Sequence, residues 1–143
     1  MFGGYAMKSS LLDSLSGLLG FCSYFAAAVV FVITFCFVYC KMTPYDEMKL
    51  IREGNTSAAI SFGGALIGFI LPLYSAITHS VSFLDMLIWS VIALLVQCAV
   101  FGSVRLIFKD LAQEIENNHA AAATLLAFCS IAVGILNAAC MTY

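Results

Sequence analysis

Long apolar stretches dominate the chain, and short charged segments separate them. Each stretch contains a run without Asp, Glu, Lys or Arg that is long enough for a helix to cross the hydrocarbon core, which needs about 20 apolar residues. The apolar positions are continuous rather than alternating, which favours helices over strands. The pattern therefore predicts an all-α, polytopic membrane protein with four transmembrane helices near residues 17–39, 57–77, 83–104 and 120–141.

The composition supports a location in the lipid bilayer. Hydrophobic residues make up 63% of the 143 residues and charged residues 10%, whereas soluble domains carry about 45–50% and about 25%. A soluble domain of this length could not bury so much apolar surface, because small domains have a high ratio of surface to volume. The net charge of −2, without a basic stripe, excludes nucleic acid as a partner. Residues 1–143 are expected to form one membrane domain.

The basic residues predict the orientation of the chain. Five of the six lie in the two charged loops, namely Lys41, Lys49, Arg52, Arg105 and Lys109. Only Lys8 falls on the other side, so the loops should face the cytoplasm and both termini the periplasm of a bacterial inner membrane. Aromatic residues expected at the outer headgroup level are Tyr74, Trp89 and Tyr143.

Two similar segments precede the second and fourth predicted spans. The segment 53–59 reads Glu-Gly-Asn-Thr-Ser-Ala-Ala, and the segment 116–122 reads Glu-Asn-Asn-His-Ala-Ala-Ala. Their similarity predicts a tandem repeat of a two-helix unit, with repeat one at about 14–77 and repeat two at about 83–141. Such copies are parallel and related by an axis along the membrane normal. In this alignment Asn118 matches Asn55, and Asn117 takes the place of Gly54.

Each cytoplasmic loop is expected to hold a short amphipathic helix lying at the membrane surface. In the first loop Thr43 is the predicted N-cap and Pro44 the first helical residue. The apolar face is expected to carry Tyr45, Met48 and Ile51. The polar side is expected to carry Asp46, Glu47, Lys49 and Glu53. In the second loop the apolar stripe is expected to consist of Phe108, Leu111 and Ile115.

Three separated blocks together resemble the YjfL-like family of small bacterial inner-membrane proteins of unknown function. They are the segments 42–47, 53–59 and 134–141, and the resemblance extends over nearly the whole chain. It implies four spans built as a tandem two-helix repeat. The family's gene neighbourhood includes membrane-stress proteins of the phage-shock type and enzymes similar to glutathionylspermidine synthase, which implies a cytoplasmic membrane-stress partner. The resemblance brings no catalytic residues.

Several uncharged polar residues in the predicted spans need hydrogen-bond partners, because an unsatisfied polar group in hydrocarbon is costly. They are Asn55, Asn118, Gln97, Asn137, Ser57, Ser61 and Thr124. They can cap helices and join neighbouring helices. Alternatively, they line a route for ions or small polar solutes, with Asn55 and Asn118 at its cytoplasmic mouth.

Small residues in the second and fourth spans predict close helix packing. Gly64 and Gly68 form a GxxxG motif, and Gly134 and Ala138 give the fourth span a similar face. Such faces allow two backbones to approach, within one chain or between the copies of a homo-oligomer. Pro72 should bend the second span, either as a fixed kink or as a hinge.

The sequence favours a non-enzymatic protein without a cofactor. The cysteines and histidines lack the spacing of metal ligands, and no catalytic set can be assembled. No ionisable residue lies between Asp85 and the charged loops, which argues against a proton pump. The first hypothesis is a structural or scaffold component in envelope stress response, with a partner docked on Lys49 and Arg52. The alternative is a small oligomeric channel or passive transporter.

Overall fold

The computed structural model describes residues 3–142, so Tyr143 and its predicted position lie outside the described residues. This part of the chain is helical and holds no strand. The helices are α1 (Gly3–Met42), α2 (Glu47–Arg52), α3 (Thr56–His79), α4 (Phe83–Ile107), α5 (Leu111–Glu116) and α6 (Ala120–Cys140). Helices α1, α3, α4 and α6 are long and apolar enough to cross a membrane, which confirms the predicted all-α fold with four transmembrane helices.

Helix α1 begins well before the predicted first span. It contains 40 residues and is therefore about 60 Å long, against about 30 Å for the hydrocarbon core. The polar residues near its start, such as Lys8 and Asp13, make the segment less apolar but do not break a helix. The helix ends at Met42, because Pro44 disfavours the helical conformation at Thr43. Only Phe35 and Tyr39 of α1 are fully buried.

Helices α3 and α6 form the centre of the bundle and run parallel. Gly64 of α3 faces Ala127 of α6, and one turn later the backbone of Gly68 meets Gly134. A Cβ atom built on Gly64 would overlap the Cβ atom of Ala127, and one on Gly134 would lie 2.8 Å from the Cα atom of Gly68. The predicted small-residue face thus serves packing within the chain.

Helix α4 runs opposite to this pair and is held to both of its members. The side-chain amide of Gln97 donates to the carbonyl oxygen of Gly68 at 2.8 Å and to that of Ser130 at 3.1 Å. Helix α1 also packs on α3, where the Phe35 ring stacks on Phe69 with centroids 4.7 Å apart. The core therefore lies between α3, α6 and the inward faces of α1 and α4.

The predicted start of the first loop helix is wrong by three residues. Helix α2 begins at Glu47, and its N-cap is Asp46, whose side chain accepts a hydrogen bond from the Lys49 amide at 3.1 Å. The Thr43 hydroxyl instead donates to the carbonyl oxygen of Cys40 at 3.0 Å. Thr43 therefore closes α1 rather than opening α2, and Pro44 lies in the bend between the two helices.

The predicted alignment of the two loops is also wrong by one residue. Helices α2 and α5 each have six residues, and three residues connect each to the next long helix. Gly54 (φ 86°) and Asn118 (φ 59°) occupy the left-handed region at the same point of these connections, whereas Asn117 has a φ of −79°. Asn118 therefore matches Gly54, because asparagine tolerates this conformation better than other non-glycine residues.

The residues that precede α3 and α6 differ in how they cap those helices. Asn55 is the N-cap of α3, and its side-chain oxygen accepts from the Ala58 amide, as predicted. His119 precedes α6 and makes no side-chain cap, so the predicted cap of α6 by Asn118 is wrong. Pro72 lies inside α3, which continues past it to His79.

Candidate functional site: a buried polar cluster beside α2

Buried polar side chains from α1, α2, α3 and the segment that leads to α2 lie at one end of the bundle. We call them the Glu47 cluster, which consists of Tyr39, Tyr45, Glu47, Ser57 and Ser61. All five are buried. Tyr39 comes from the end of α1, Ser57 and Ser61 come from the first turns of α3, and Tyr45 lies in the segment that leads to α2. The cluster therefore lies where α1, α2 and α3 meet.

Glu47 is the most unusual member, because its carboxylate lies inside the protein. The residue is 1% exposed, and neither carboxylate oxygen makes a hydrogen bond of normal length and angle within the described chain. The predicted position of Glu47 on the polar side of α2 is wrong. Glu47 shares the inward face with Leu50 and Ile51, whereas Met48, expected on that face, is 41% exposed.

Burial changes the acidity of the ionisable groups in the cluster. It raises the pKa of Glu47 from its ordinary value of 4.5 to about 7, and the nearby Tyr45 hydroxyl lowers that pKa in part. The pKa of Tyr45 is raised, first by burial and then by the negative charge of Glu47. Within residues 3–142 the one basic side chain at salt-bridge distance from a carboxylate is His119, whose Nδ1 lies 2.7 Å from Glu114 Oε2. Glu47 is therefore a buried carboxyl group without a cationic partner.

The remaining oxygen atoms of the cluster are also poorly paired. The Tyr39 hydroxyl and the Ser57 hydroxyl are buried and make no hydrogen bond of normal geometry within the described residues. The Ser61 hydroxyl donates to the carbonyl oxygen of Ala58 in its own helix, at 3.1 Å. The cluster can therefore supply oxygen atoms that accept a proton or a hydrogen bond, but no side-chain cation.

Two asparagines next to the cluster join the two halves of the bundle. The side-chain amide of Asn55 donates to the carbonyl oxygens of Ile115 and Glu116, at 3.0 and 3.2 Å. The side-chain oxygen of Asn118 accepts from the Ser57 amide at 3.0 Å, so it caps α3 rather than α6. The structure thus brings Asn55 and Asn118 together, but their side chains bind backbone groups at the helix ends.

The other polar candidates lie apart from this end of the bundle. Gln97 lies midway along the bundle, between α3 and α6. Asn137 lies toward the opposite end, and its side-chain amide nitrogen is buried without a hydrogen-bond partner among residues 3–142. Near it, the Ser75 hydroxyl donates to the carbonyl oxygen of Ala138 at 2.8 Å. Thr124 is half-buried in the second turn of α6.

Sequence reasoning missed Glu47 as a site residue, although a signal was present. Glu47 precedes Leu50 and Ile51 by three and four residues, a spacing that places all three on one face of a helix. The first residue of α5, Leu111, occupies the matching place and is 2% exposed. The matching place in the second loop therefore holds a fully apolar side chain, and packing does not require a carboxyl group there.

Metal chemistry finds no support in the described residues. Across the range 3–142 no group of three or more His, Cys, Asp or Glu side chains is arranged to hold a metal ion. The carboxylate of Glu47 is accompanied mainly by hydroxyl groups. These carboxyl and hydroxyl groups can bind a proton and form hydrogen bonds.

Comparison with known proteins gives consistent results along the chain. Residues 13–141 match the model of the family described as Domain of Unknown Function DUF350. The chain is 44% identical over 133 residues to the UPF0719 inner membrane protein YjfL of Escherichia coli K12, covering 93% of this chain and 98% of the relative. It is 28% identical over 120 residues to the UPF0719 transmembrane protein YshE of Bacillus subtilis 168, covering 82% and 89%.

The family model and the two relatives therefore indicate the same family. No solved structure matches the chain. The resemblance to YjfL-like proteins is confirmed, and the four apolar helices agree with the membrane location in the relatives' names. The chain belongs to the DUF350 (UPF0719) family and is a multi-pass membrane protein.

Proposed function

We propose that this protein is a non-enzymatic structural component of the bacterial inner membrane, which presents its short helices to a cytoplasmic partner. The observation that carries the proposal is the direct backbone contact between α3 and α6 at Gly64, Gly68 and Gly134. These contacts close the space between the two central helices to solutes. Their contact favours a packed bundle over a channel.

The polar residues in the spans support the same interpretation. Gln97 gives both of its amide hydrogen bonds to carbonyl oxygens of α3 and α6, and Asn55 gives its own to the end of α5. Polar groups that line a water-filled channel are expected to point into it. The side-chain amides of Gln97 and Asn55 instead bind backbone groups of neighbouring helices. The alternative function, a small channel or passive transporter, would need a route between copies.

The proposed membrane location is based on the names of the relatives, and the proposed orientation is based on the distribution of basic residues. YjfL is named as an inner membrane protein, and five of the six basic residues lie on the side of α2 and α5. By the positive-inside rule that side faces the cytoplasm, and both termini face the periplasm. Lys49 and Arg52 are exposed on α2, so they are available to a partner of the membrane-stress type.

The proposal includes a homo-oligomer. Its interface is not formed by Gly64 and Gly68, because these residues already pack against α6 of the same chain. The exposed apolar surface of α1 is more suitable. Exposed large residues on α1 include Phe21, Phe25, Val30, Ile33 and Phe37. A second copy or lipid can cover this surface at similar cost, because both are apolar.

The test is co-purification of the tagged protein from membranes of its own host, with Lys49→Glu/Arg52→Glu compared to the wild type. Lys8→Glu, at the opposite end of the molecule, is the matched control. The proposal predicts a specific protein that is retained by the wild type and by the control but lost with the double variant. Retention of the same proteins by all three would contradict docking on α2.

A further inference from the structure

We propose that Glu47 is a proton-binding site whose occupancy controls the attachment of α2 to the bundle. The carboxyl group is 1% exposed and faces into the junction of α1, α2 and α3. Among residues 3–142, neither of its oxygens has a hydrogen-bond partner of normal geometry. Burial disfavours an ionised carboxylate, because it removes the group from bulk water and no cationic side chain among the described residues pairs with it.

The titratable groups around Glu47 include no cation that could pair with its ionised form. On α1 they are Tyr39 and Cys40, and in the connecting segment they are Tyr45 and the neighbouring Asp46. From α3 the Ser61 hydroxyl contacts Tyr39 and Tyr45, and from α5 the carboxyl group of Glu116 acts on Tyr45. None of these groups is a cation. The Tyr45 hydroxyl offsets part of the effect of burial on the pKa of Glu47, but burial has the larger effect.

The basic residues near this end of the bundle are engaged elsewhere or exposed. Arg105 of α4 donates to the carbonyl oxygen of Met42 at 3.0 Å. Lys49 and Arg52 of α2 and Lys41 at the end of α1 are exposed. Among the residues described, none of these side chains forms an ion pair with Glu47. The proton is the positive charge that the cluster can accept without a new cavity or a new ligand.

Helix α5 shows what a neutral residue does at the same position. Leu111 is the first residue of α5, as Glu47 is the first residue of α2, and both are buried. A protonated Glu47 is neutral and can pack in the same way. When Glu47 loses its proton, the charged carboxylate is more stable in water than inside the bundle. It reaches water when α2 leaves the bundle.

Release of α2 would move Lys49 and Arg52 with it. The consequence for a docked partner rests on the proposed function, whereas proton binding at Glu47 does not. The two proposals can therefore fail separately. Glu47 can bind a proton even if no partner docks on α2, and a partner can dock on α2 even if Glu47 binds no proton.

Infrared spectroscopy of the protein reconstituted in lipid tests the proton site directly. The band of a protonated carboxylic acid should be present at acidic pH and disappear with a midpoint near 7. It should be missing in Glu47→Gln and retained in Glu53→Gln, which removes an exposed carboxyl group from the same segment. A band of the same midpoint in Glu47→Gln would overturn the proposal. So would a carboxylate band that responds to sodium or potassium ions but not to pH.

Hydrogen exchange of the backbone amides tests the control of α2. After correction for intrinsic rates, protection of residues 47–52 should fall at least tenfold above the midpoint in the wild type. The amides of α5 serve as an internal reference that should not change. Glu47→Leu, which gives α2 the same first residue as α5, should keep α2 protected at every pH. Equal protection of α2 on both sides of the midpoint in the wild type would overturn the proposed control.

Discussion

The side-chain amide of Asn55 lies 3.0 Å from the carbonyl oxygen of Ile115, and so links the start of α3 to the end of α5. Asn118, just after α5, accepts a hydrogen bond from the amide of Ser57 in the first turn of α3. The two bonds run in opposite directions across the same junction. They satisfy backbone groups that would otherwise be unpaired at helix ends near the membrane.

The first prediction concerns Asn55. Asn55→Ala should lower the free energy of unfolding by about 2 kcal/mol, because it removes the cap of α3 and the bonds to α5. Denaturation in detergent micelles, followed by circular dichroism, measures the change. Thr56→Ala, at the neighbouring exposed position, is the control and should change stability much less. Equal losses for the two variants would contradict the assigned role.

The second prediction separates the two tasks of Asn118. Asn118→Gly keeps the left-handed backbone but loses the bond to the Ser57 amide, so it should cost about 1 kcal/mol. Asn118→Asp keeps an acceptor and tolerates the same conformation, so it should match the wild type. The same denaturation experiment compares them. If glycine is as stable as aspartate, the bond to Ser57 contributes nothing.

The third prediction tests the packing of α3 against α6. Gly64→Ala should destabilise the protein by about 1–3 kcal/mol, because the new methyl group would overlap Ala127. Gly63→Ala adds the same group one residue earlier, where no atom of another described helix lies within 4 Å. It should be neutral or slightly stabilising, since alanine favours a helix more than glycine does. Similar losses for both variants would argue against this helix contact.

The fourth prediction concerns Gln97. Gln97→Leu removes the amide that joins α4 to Gly68 and Ser130, and should cost about 0.6–2 kcal/mol. The exposed Gln113→Leu in α5 is the control for the change in residue type. Thermal unfolding of both variants in the same detergent gives the comparison. If Gln97→Leu is as stable as the wild type, the hydrogen bonds of Gln97 do not stabilise the bundle.

The fifth prediction follows from the acidity of Glu47. Its pKa rises on folding from 4.5 to about 7, so the folded state binds the proton more tightly than the unfolded state. The resulting stability is fully present below pH 4.5 and is lost as pH rises to about 7. The slope is about 1.4 kcal/mol per pH unit between these values. Relative to wild type, Glu47→Gln should lack this slope, and an unchanged slope in the variant would contradict the assignment.

The sequence predicted the spans because their charge-free runs leave no other stable arrangement in lipid, and it predicted the cap by Asn55 from its place before an apolar run. The sequence alignment of the two loops paired Asn118 with Asn55, whereas in the structure Asn118 occupies the place of Gly54, one residue earlier. Only the backbone, with a positive φ at Asn118, reveals this shift of one residue.

The site was harder to predict than the fold, as Glu47 shows. A glutamate in a charged loop is normally exposed, and its burial depends on how α2 docks against α1 and α3. That docking is a tertiary property, although the spacing of Glu47 to Leu50 and Ile51 pointed to the inward face. The position of α2 relative to Tyr39 and Ser57 could not be derived from local pattern.

The most direct test of the account measures ion and small-solute flux into liposomes that contain the purified protein. A packed structural bundle predicts leak rates equal to those of protein-free liposomes, for the wild type and for Asn55→Leu/Asn118→Leu alike. A flux above that background in the wild type, reduced in the double variant, would contradict the account and establish a conductive route past these asparagines.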